Sequence, residues 1–310
     1  MDTLEDFDAA RPRLLAIAYR MLGSASEAED AVQETYLRWA GADREAVRVP
    51  VAWLTKVLTN VCLSSLTSAR ARREEYFGEW LPEPVFEGDP MLGPQETAEQ
   101  RESVSFAVLT LLEKLTPQER AVFVLKESFS HSHNEIAEIL DISTANSQQV
   151  FSRAKRHLAD AKRTAEIDRA AAEQIIEEFL RAAASGDTDA LVGMLTEDAV
   201  TIGDGGGVIH AARKPVVGAA RVAKLVKGLF NPSARQLEMV GGKPDMYFST
   251  ANGGPALVVA VGERLVGVLS LAFEDGRISA IYNAVNPAKL GAFEREWGAG
   301  EHGEPLFTYK

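Results

Sequence analysis

Between Tyr76 and Gln95 the chain reads YFGEWLPEPVFEGDPMLGPQ, with four prolines and three glycines in twenty residues. Proline fixes φ and removes a backbone donor, and glycine opens the left-handed region, so neither helix nor strand runs through such a stretch. The 310 residues must therefore fold as separate modules on either side of it. It is not a plain polar linker, since flexible linkers lack apolar side chains. Tyr76, Phe77, Trp80, Leu81, Val85 and Phe86 lie on it, and aromatics on an extended segment point to docking on a neighbour.

Residues 5–73 have helical periodicity throughout. Phe7, Leu14, Leu15, Ala18, Met21 and Leu22 mark a first helix, which Gly23-Ser24 stops. Ser26 is expected to cap a second, SEAEDAVQETYLRWA, with Ala31, Val32, Tyr36 and Trp39 inward. Pro50 opens a third, in which Trp53, Leu54, Val57, Leu58, Val61, Cys62 and Leu66 form the apolar stripe. Helices resume over 96–163. Thr116 and Pro117 suit a helix start, and SHNEIAEILD and STANSQQVFSRAKRHLADAKR flank the tight turn Asp141–Ser143. Ile136, Ala137, Ile139 and Leu140 can pack on Val150, Phe151, Ala154 and Leu158, which makes a helix-turn-helix. From 168 onward the pattern becomes α+β: two helices, a strand ending in Asp204-Gly-Gly-Gly, a helix over GAARVAKLVKGLF, and strand-like runs near 236–240, 245–249, 256–261, 264–274 and 277–285. Asp275-Gly276 suits a two-residue hairpin turn, and the Gly- and Glu-rich end, 291–310, is expected to be loose.

The formal charge of −12 conceals an uneven distribution. Residues 53–73 carry +4, residues 144–163 carry +4, residues 74–104 carry −8 and residues 165–310 carry −5. Two basic helical patches separated by an acidic strip suit two contacts with a polyanion. No apolar run is long enough for a membrane span, the N-terminus lacks the features of a secretory signal, and one cysteine makes no disulfide framework, so a cytoplasmic protein with no membrane contact is expected. Cys62 reads as a buried apolar residue. His131 and His133, spaced i and i+2 without further ligands, make a poor metal site, and no metal or cofactor is expected.

On a helix-turn-helix the second helix offers its N-terminal side chains to the major groove. Here these are Asn146, Ser147, Gln148, Gln149, Ser152 and Arg153, of which Gln can read adenine and Arg guanine. Lys155, Arg156, Lys162 and Arg163 suit phosphates. On the third helix, Trp53, Asn60, Ser64, Arg70, Arg72 and Arg73 combine an aromatic, small polar groups and a basic strip, which suits an unstacked single strand.

AEDAVQETYLRW (28–39), WLTKVLTNVCLSSL (53–66), LTPQERAVFVL and the helix-turn-helix resemble regions two and four of bacterial sigma factors, in the compact extracytoplasmic-function (ECF) group. WLPEP (80–84), DGGG (204–207) and NPAKL (286–290) resemble the signatures of the subgroup fused to a C-terminal SnoaL-like, NTF2-like domain. Ala288 departs from that pattern, which usually has an acid there. The resemblance implies a multidomain chain: an all-α region 2 bundle over 1–75, a linker over 76–98, an all-α region 4 over 99–164, an α+β SnoaL/NTF2-like cone over 168–290 and a tail over 291–310.

It implies roles as well. Asp30, Gln33 and Glu34 would face the largest-subunit clamp helices of core RNA polymerase, with region 4 near the flap. Trp53, Asn60, Ser64, Arg70, Arg72 and Arg73 would meet the −10 element of promoter DNA. Ser147, Gln148, Gln149, Ser152, Arg153, Lys155 and Arg156 would read the −35 element. Trp80, Leu81, Pro82, Glu83 and Pro84 of the linker, Asp204, Gly205, Gly206 and Gly207, and Asn286, Pro287, Lys289 and Leu290 would form regulatory contacts within the chain. Regulation in cis makes a separate anti-sigma factor dispensable without forbidding one. Some relatives of the cone fold are enzymes that use a carboxylate in an apolar pocket. Asp204, before three glycines, suits a backbone bend better than a catalytic base, and His210 reads as structural or exposed, so the chain is expected to be no enzyme. Two rivals remain at this level: a one-component helix-turn-helix regulator with a ligand-sensing C-terminal domain, and an enzyme whose cone domain is catalytic.

Overall fold

The computed structural model describes residues 3–74, 76, 78–93, 100, 102–158, 167–209, 211–300 and 302–309, with only the backbone described at 3, 4, 44 and 69–74. Two units emerge: Met1–Glu75 with Glu87–Lys162, and Tyr76–Phe86 with Arg163–Lys310. The proline-rich segment is thus shared. Its first half belongs to the C-terminal unit and its second half to the helical one.

In the helical unit α1 spans Thr3–Leu22, α2 Ala25–Ala40 and α3 Pro50–Glu74. Leu14, Ile17, Met21, Trp39, Leu54, Leu58 and Cys62 fill the space between them with no more than 1% exposure. Burial pushes the Cys62 thiol far up, which makes it inert. The cap of α2 is Ser24, not Ser26: Ser24 has the extended backbone a cap needs, and its hydroxyl accepts from the Glu27 N–H at 3.1 Å. Beyond the linker come α4 (Phe106–Leu112), α5 (Pro117–Phe123) running into a π turn at Val124–Ser128, α6 (His133–Leu140) and α7 (Thr144–His157). Capping boxes Thr116/Glu119 and Ser132/Glu135 start α5 and α6. Asp141 ends α6 in the left-handed region and Ser143 caps α7, which fixes the tight turn of the helix-turn-helix.

One buried cation joins α1 to the later part of this unit. Arg20, with 0% exposure, donates to Ser103 Oγ (2.9 Å), Met91 O (3.2 Å) and Leu92 O (2.6 Å), and lies over the Phe129 ring. Gly93 completes the fit. Its φ is +64°, and a Cβ there would stand 2.6 Å from Ala16 Cβ and 3.0 Å from Arg20 Nη1.

In the other unit α8 is Arg169–Ser185, α9 Thr188–Gly193, β1 Leu195–Asp204, β2 Val216–Val217, α10 Ala219–Leu229, α11 Ala234–Val240, β3 Asp245–Ala251, β4 Gly254–Val261, β5 Arg264–Glu274, β6 Arg277–Ala284, α12 Gly291–Ala299 and β7 Phe307–Thr308. The strands form one sheet in the order β2-β1-β6-β5-β4-β3-β7, antiparallel except for β1 beside β6. One face packs on α8 and α10 around Ile176, Phe179, Val222, Leu271, Phe273 and Ile281. The opposite face carries Ala256, Val258 and Val268 beneath Leu290, Phe293 and Trp297. Phe86 of the linker joins this second cluster, 5.1 Å from the Phe293 ring. The Asp275-Gly276 turn has φ +49° and +73°, as a type I′ hairpin requires.

Two expectations fail here. The run 236–240 is helix, because Ser233 and Gln236 form a reciprocal capping box just before it. Residues 291–300 and 302–309 are not a loose tail, because Phe293 and Trp297, one helical turn apart, are buried on the sheet, and Phe307–Thr308 pairs with β3.

Candidate nucleic-acid interface and a buried carboxylate hub

On α7, Gln148, Gln149, Ser152, Arg153, Lys155 and Arg156 are exposed. Ala145, Gln148, Gln149, Ser152, Arg153 and Arg156 line one shallow concavity. Ser147 does not belong with them. It is fully buried, with its Oγ 2.9 Å from His133 Nδ1, so the hydroxyl braces α6 against α7 and is withheld from base edges. Lys162 and Arg163 lie outside the described residues. A residue that the sequence reading missed stands behind this face. Glu119 Oε2 accepts from Thr116 N–H and Oγ, while Oε1 is 3.9 Å from Arg153 Nε and 3.5 Å from His157 Nδ1. Although burial opposes them, the Thr116 bonds, His157 and Arg153 together hold the Glu119 carboxyl below its ordinary value. The Thr-Pro-Gln-Glu spacing of a capping box was the available signal.

On α3, Asn60 and Ser64 are exposed, and Ser64 Oγ donates to the Asn60 carbonyl at 3.0 Å. Trp53 is half-buried against Trp39, with ring centroids 5.3 Å apart. The side chains of Arg70, Arg72 and Arg73 lie outside the described ones. On α2, Asp30 and Gln33 are exposed, and Glu34 pairs with Arg38 at 2.9 Å. α3 meets the helix-turn-helix through Lys56, whose ammonium donates to Asp141 Oδ1 (2.6 Å) and to the Glu138 carbonyl (3.0 Å) at its turn.

A second junction in the helical unit titrates. Arg13 Nη2 donates to the Phe129 carbonyl (3.2 Å) and approaches His131 Nε2 (3.4 Å), while His131 Nδ1 is 4.0 Å from Glu135. Burial, then Arg13, holds His131 below its ordinary 6.5, against the pull of Glu135. With the folded value depressed, the unfolded chain takes up the proton first as pH falls. The helical unit is therefore expected to keep its stability above about pH 6.5 and to lose it progressively below. His131→Gln should flatten part of that slope in urea midpoints measured against pH. His133, which burial shifts the same way, adds to the slope in this range, and the depressed Glu119 and Glu135 carboxyls add to it at lower pH. A profile that H131Q leaves unchanged excludes His131 as the source.

In the α+β unit the three motifs converge on Asp204, whose side chain is 0% exposed. Oδ1 accepts from Tyr76 OH (2.6 Å) and Gly206 N–H (3.0 Å). Oδ2 accepts from Leu81 N–H (2.9 Å) and Lys289 Nζ (2.6 Å). Lys289 also donates to the Leu81 carbonyl (2.6 Å) and lies 3.9 Å from the centre of the Trp80 ring. Asn286 Nδ2 donates to Tyr76 OH (2.7 Å), and Asn286 Oδ1 accepts from Ala288 N–H (3.1 Å). Burial, with Asp204 beside it, pushes the Tyr76 hydroxyl up, which keeps its proton available for Asp204. Gly206 has φ +60°, and a Cβ there would fall 2.4 Å from the Asn286 amide, so glycine is required. Leu81, Pro82, Glu83, Pro84 and Leu290 are buried as well, whereas Pro287 and Ala288 are exposed. The missing acid at 288 therefore costs this cluster no contact. With four donors on its two oxygens, Asp204 is a structural keystone and has no lone pair directed at a substrate. His210 lies outside the described residues.

A family model for sigma-70 region 2 matches residues 7–72, and one for sigma-70 region 4 matches residues 105–158. The ECF RNA polymerase sigma factor SigJ of Mycobacterium tuberculosis is 33% identical over 296 residues, covering 93% of each chain. The chain belongs to the ECF sigma factors. A probable ECF sigma factor, SigI, of the same species is 30% identical over 297 residues, covering 94% of this sigma factor and 96% of SigI. The crystal structure of SigJ superposes with a TM-score of 0.72 at 29% identity, covering 93% of this sigma factor and 98% of SigJ. The likeness extends through the α+β unit as well as the two sigma regions. As an alternative sigma factor, the protein directs transcription initiation, a non-enzymatic task carried out with core RNA polymerase and promoter DNA. This likeness favours the sigma factor over a stand-alone helix-turn-helix regulator. Among the described residues no helix is long and apolar enough to cross a membrane.

Proposed function

We propose that this sigma factor is regulated in cis through the segment 76–93, which governs how far its two promoter-reading elements can separate. The −10 and −35 elements lie about 25 base pairs apart, roughly 85 Å at 3.4 Å per pair. With Lys56 of α3 hydrogen-bonded to the turn ahead of α7, one molecule cannot serve both elements. The helical unit is a closed form, and promoter engagement requires it to open. The observation that carries the proposal is that both halves of the connecting segment are gripped by buried cations, Lys289 at Leu81 and Arg20 at Met91 and Leu92. The α+β unit sets the slack in that segment and, with it, the ease of opening.

Once open, Gln148, Gln149, Ser152 and Arg153 read the −35 duplex while Lys155 and Arg156 hold phosphates. Trp53, Asn60, Ser64, Arg70, Arg72 and Arg73 meet the melted −10 strand. Asp30, Gln33 and Glu34 face the clamp helices of the largest polymerase subunit, where an acidic face suits a basic coiled coil, and region 4 lies by the flap. The test joins positions 56 and 141. A K56C/D141C variant is bridged with a short, reducible bis-maleimide, Cys62 being buried and unreactive. Promoter-specific run-off transcription with core polymerase should fall at least tenfold when bridged and recover on reduction. Equal output from bridged and reduced protein would refute the closed-form reading.

A further inference from the structure

The C-terminal unit is acidic as a whole, yet one stretch reverses its sign. Residues 211–244 contain seven lysines and arginines against the single acid Glu238, a net +6, while the rest of 165–310 carries −11. The structure gathers much of this charge along α10. Ala219, Val222, Ala223 and Val226 form its buried stripe. The opposite face consists of exposed Ala220, Arg221, Lys224, Lys227 and Gly228, and exposed Lys214 precedes β2, the edge strand that leads into the helix. Arg221 and Lys224 are one turn apart, about 5 Å along the axis. Among the described residues no carboxylate pairs with Lys214, Arg221 or Lys224. Lys227 has a local use, since its side chain runs across Gly186 at the end of α8.

We propose that Lys214, Arg221 and Lys224 form a third DNA-contacting surface of this sigma factor, one that binds the phosphate backbone of duplex DNA without reading sequence. Three considerations favour duplex DNA. The protein's function brings it to promoter DNA, so the local concentration of phosphate is high when it acts. Duplex DNA presents one negative charge per about 1.7 Å of axis, a density that a row of unpaired cations complements. The small residues Ala220 and Gly228 leave the helix face low, so the backbone of a duplex can approach the ammonium and guanidinium groups. The surrounding −11 repels DNA from the other faces, which fixes the orientation in which this unit can approach. This surface is independent of the Asp204 cluster and does not rest on the closed-form reading.

The experiment uses the full chain with K214A/R221A/K224A. All three sites are exposed, and alanine favours helix at 221 and 224, so an unchanged thermal midpoint is the check on folding. Binding to a promoter duplex and to an unrelated duplex is measured from low to moderate salt. Each lost phosphate contact removes about 0.9 from the slope of log K against log salt, so the slope should become shallower by about 2 to 3 on both duplexes. Hydroxyl-radical protection should shorten by the same amount at every promoter. An unchanged slope overturns the proposal, as does a loss confined to the promoter duplex. So does a variant that keeps its DNA slope but loses affinity for core polymerase, which would make the surface a protein-docking one.

Discussion

Asp204→Ala is expected to destabilise the α+β unit by about 3–5 kcal/mol, the usual result of removing one member of a buried ion pair. The substitution leaves Lys289 buried without its carboxylate partner, and it takes the acceptor away from the Tyr76 hydroxyl proton and the Leu81 N–H at the same time. Lys289→Met should cost less, because Asp204 would keep three of its four donors. The double variant should come out less destabilised than the sum of the two, by about 1–3 kcal/mol, since the second change removes a charge that the first has stranded. Urea unfolding followed by near-UV circular dichroism reads all three. Release of the linker should appear as faster proteolysis within 76–86. It should also raise promoter-specific transcription per folded molecule, because a slack segment no longer opposes opening. Additive single and double effects would mean that Asp204 and Lys289 do not act as a pair.

Arg20→Met should be about as severe, roughly 4 kcal/mol lost from the helical unit. It deletes a buried guanidinium and leaves the carbonyls of Met91 and Leu92 and the Ser103 hydroxyl short of a donor, each at about 1–3 kcal/mol before relaxation. Arg20→Lys should recover only part of this, because an ammonium lacks the planar fork that reaches five separate acceptors. Burial lowers the Arg20 guanidinium to about 10, which still leaves it charged at neutral pH, with the carbonyls and the Phe129 face around that charge. The two readouts should move in opposite directions. Stability falls, while −35 duplex binding by the remaining folded protein rises, because a grip that holds region 4 near region 2 has gone. A fall in both would show that Arg20 maintains the DNA-reading shape rather than the closed form.

What was legible in the sequence follows the range of the interactions. The helix-turn-helix could be read because its determinants are local: Ser132 with Glu135, Asp141, and Ser143 all lie within a few residues of the helix end that each sets. The same locality explains 236–240, where a short apolar run resembles a strand until the Ser233/Gln236 box is weighed. Arg20 was invisible because its acceptors at Met91, Leu92 and Ser103 lie more than 70 residues away, and a lone arginine on an amphipathic helix reads as solvent-facing. Of the Asp204 partners, Lys289, 85 residues distant, could be grouped with it only through family motifs, and Tyr76, 128 residues distant, lies outside those motifs and was read only as one of the linker's aromatics. Ser147 was misassigned because helical spacing alone does not show that His133 of the preceding helix claims its hydroxyl. The basic face of α10 was hidden in a charge total taken over the whole C-terminal part.

Because Leu81, Pro82, Pro84 and Val85 are buried in the α+β unit, that unit's boundary in space does not coincide with its boundary in the gene. A chain cut after region 4 discards the floor on which this ribbon rests and exposes a greasy stretch to water. Such a fragment should stick to chaperones, to itself or to detergent-like surfaces, whatever its promoter activity. A shortened protein that behaves well in solution would have to lose both pieces together, or keep a point-mutated partner sheet in place to shelter the ribbon.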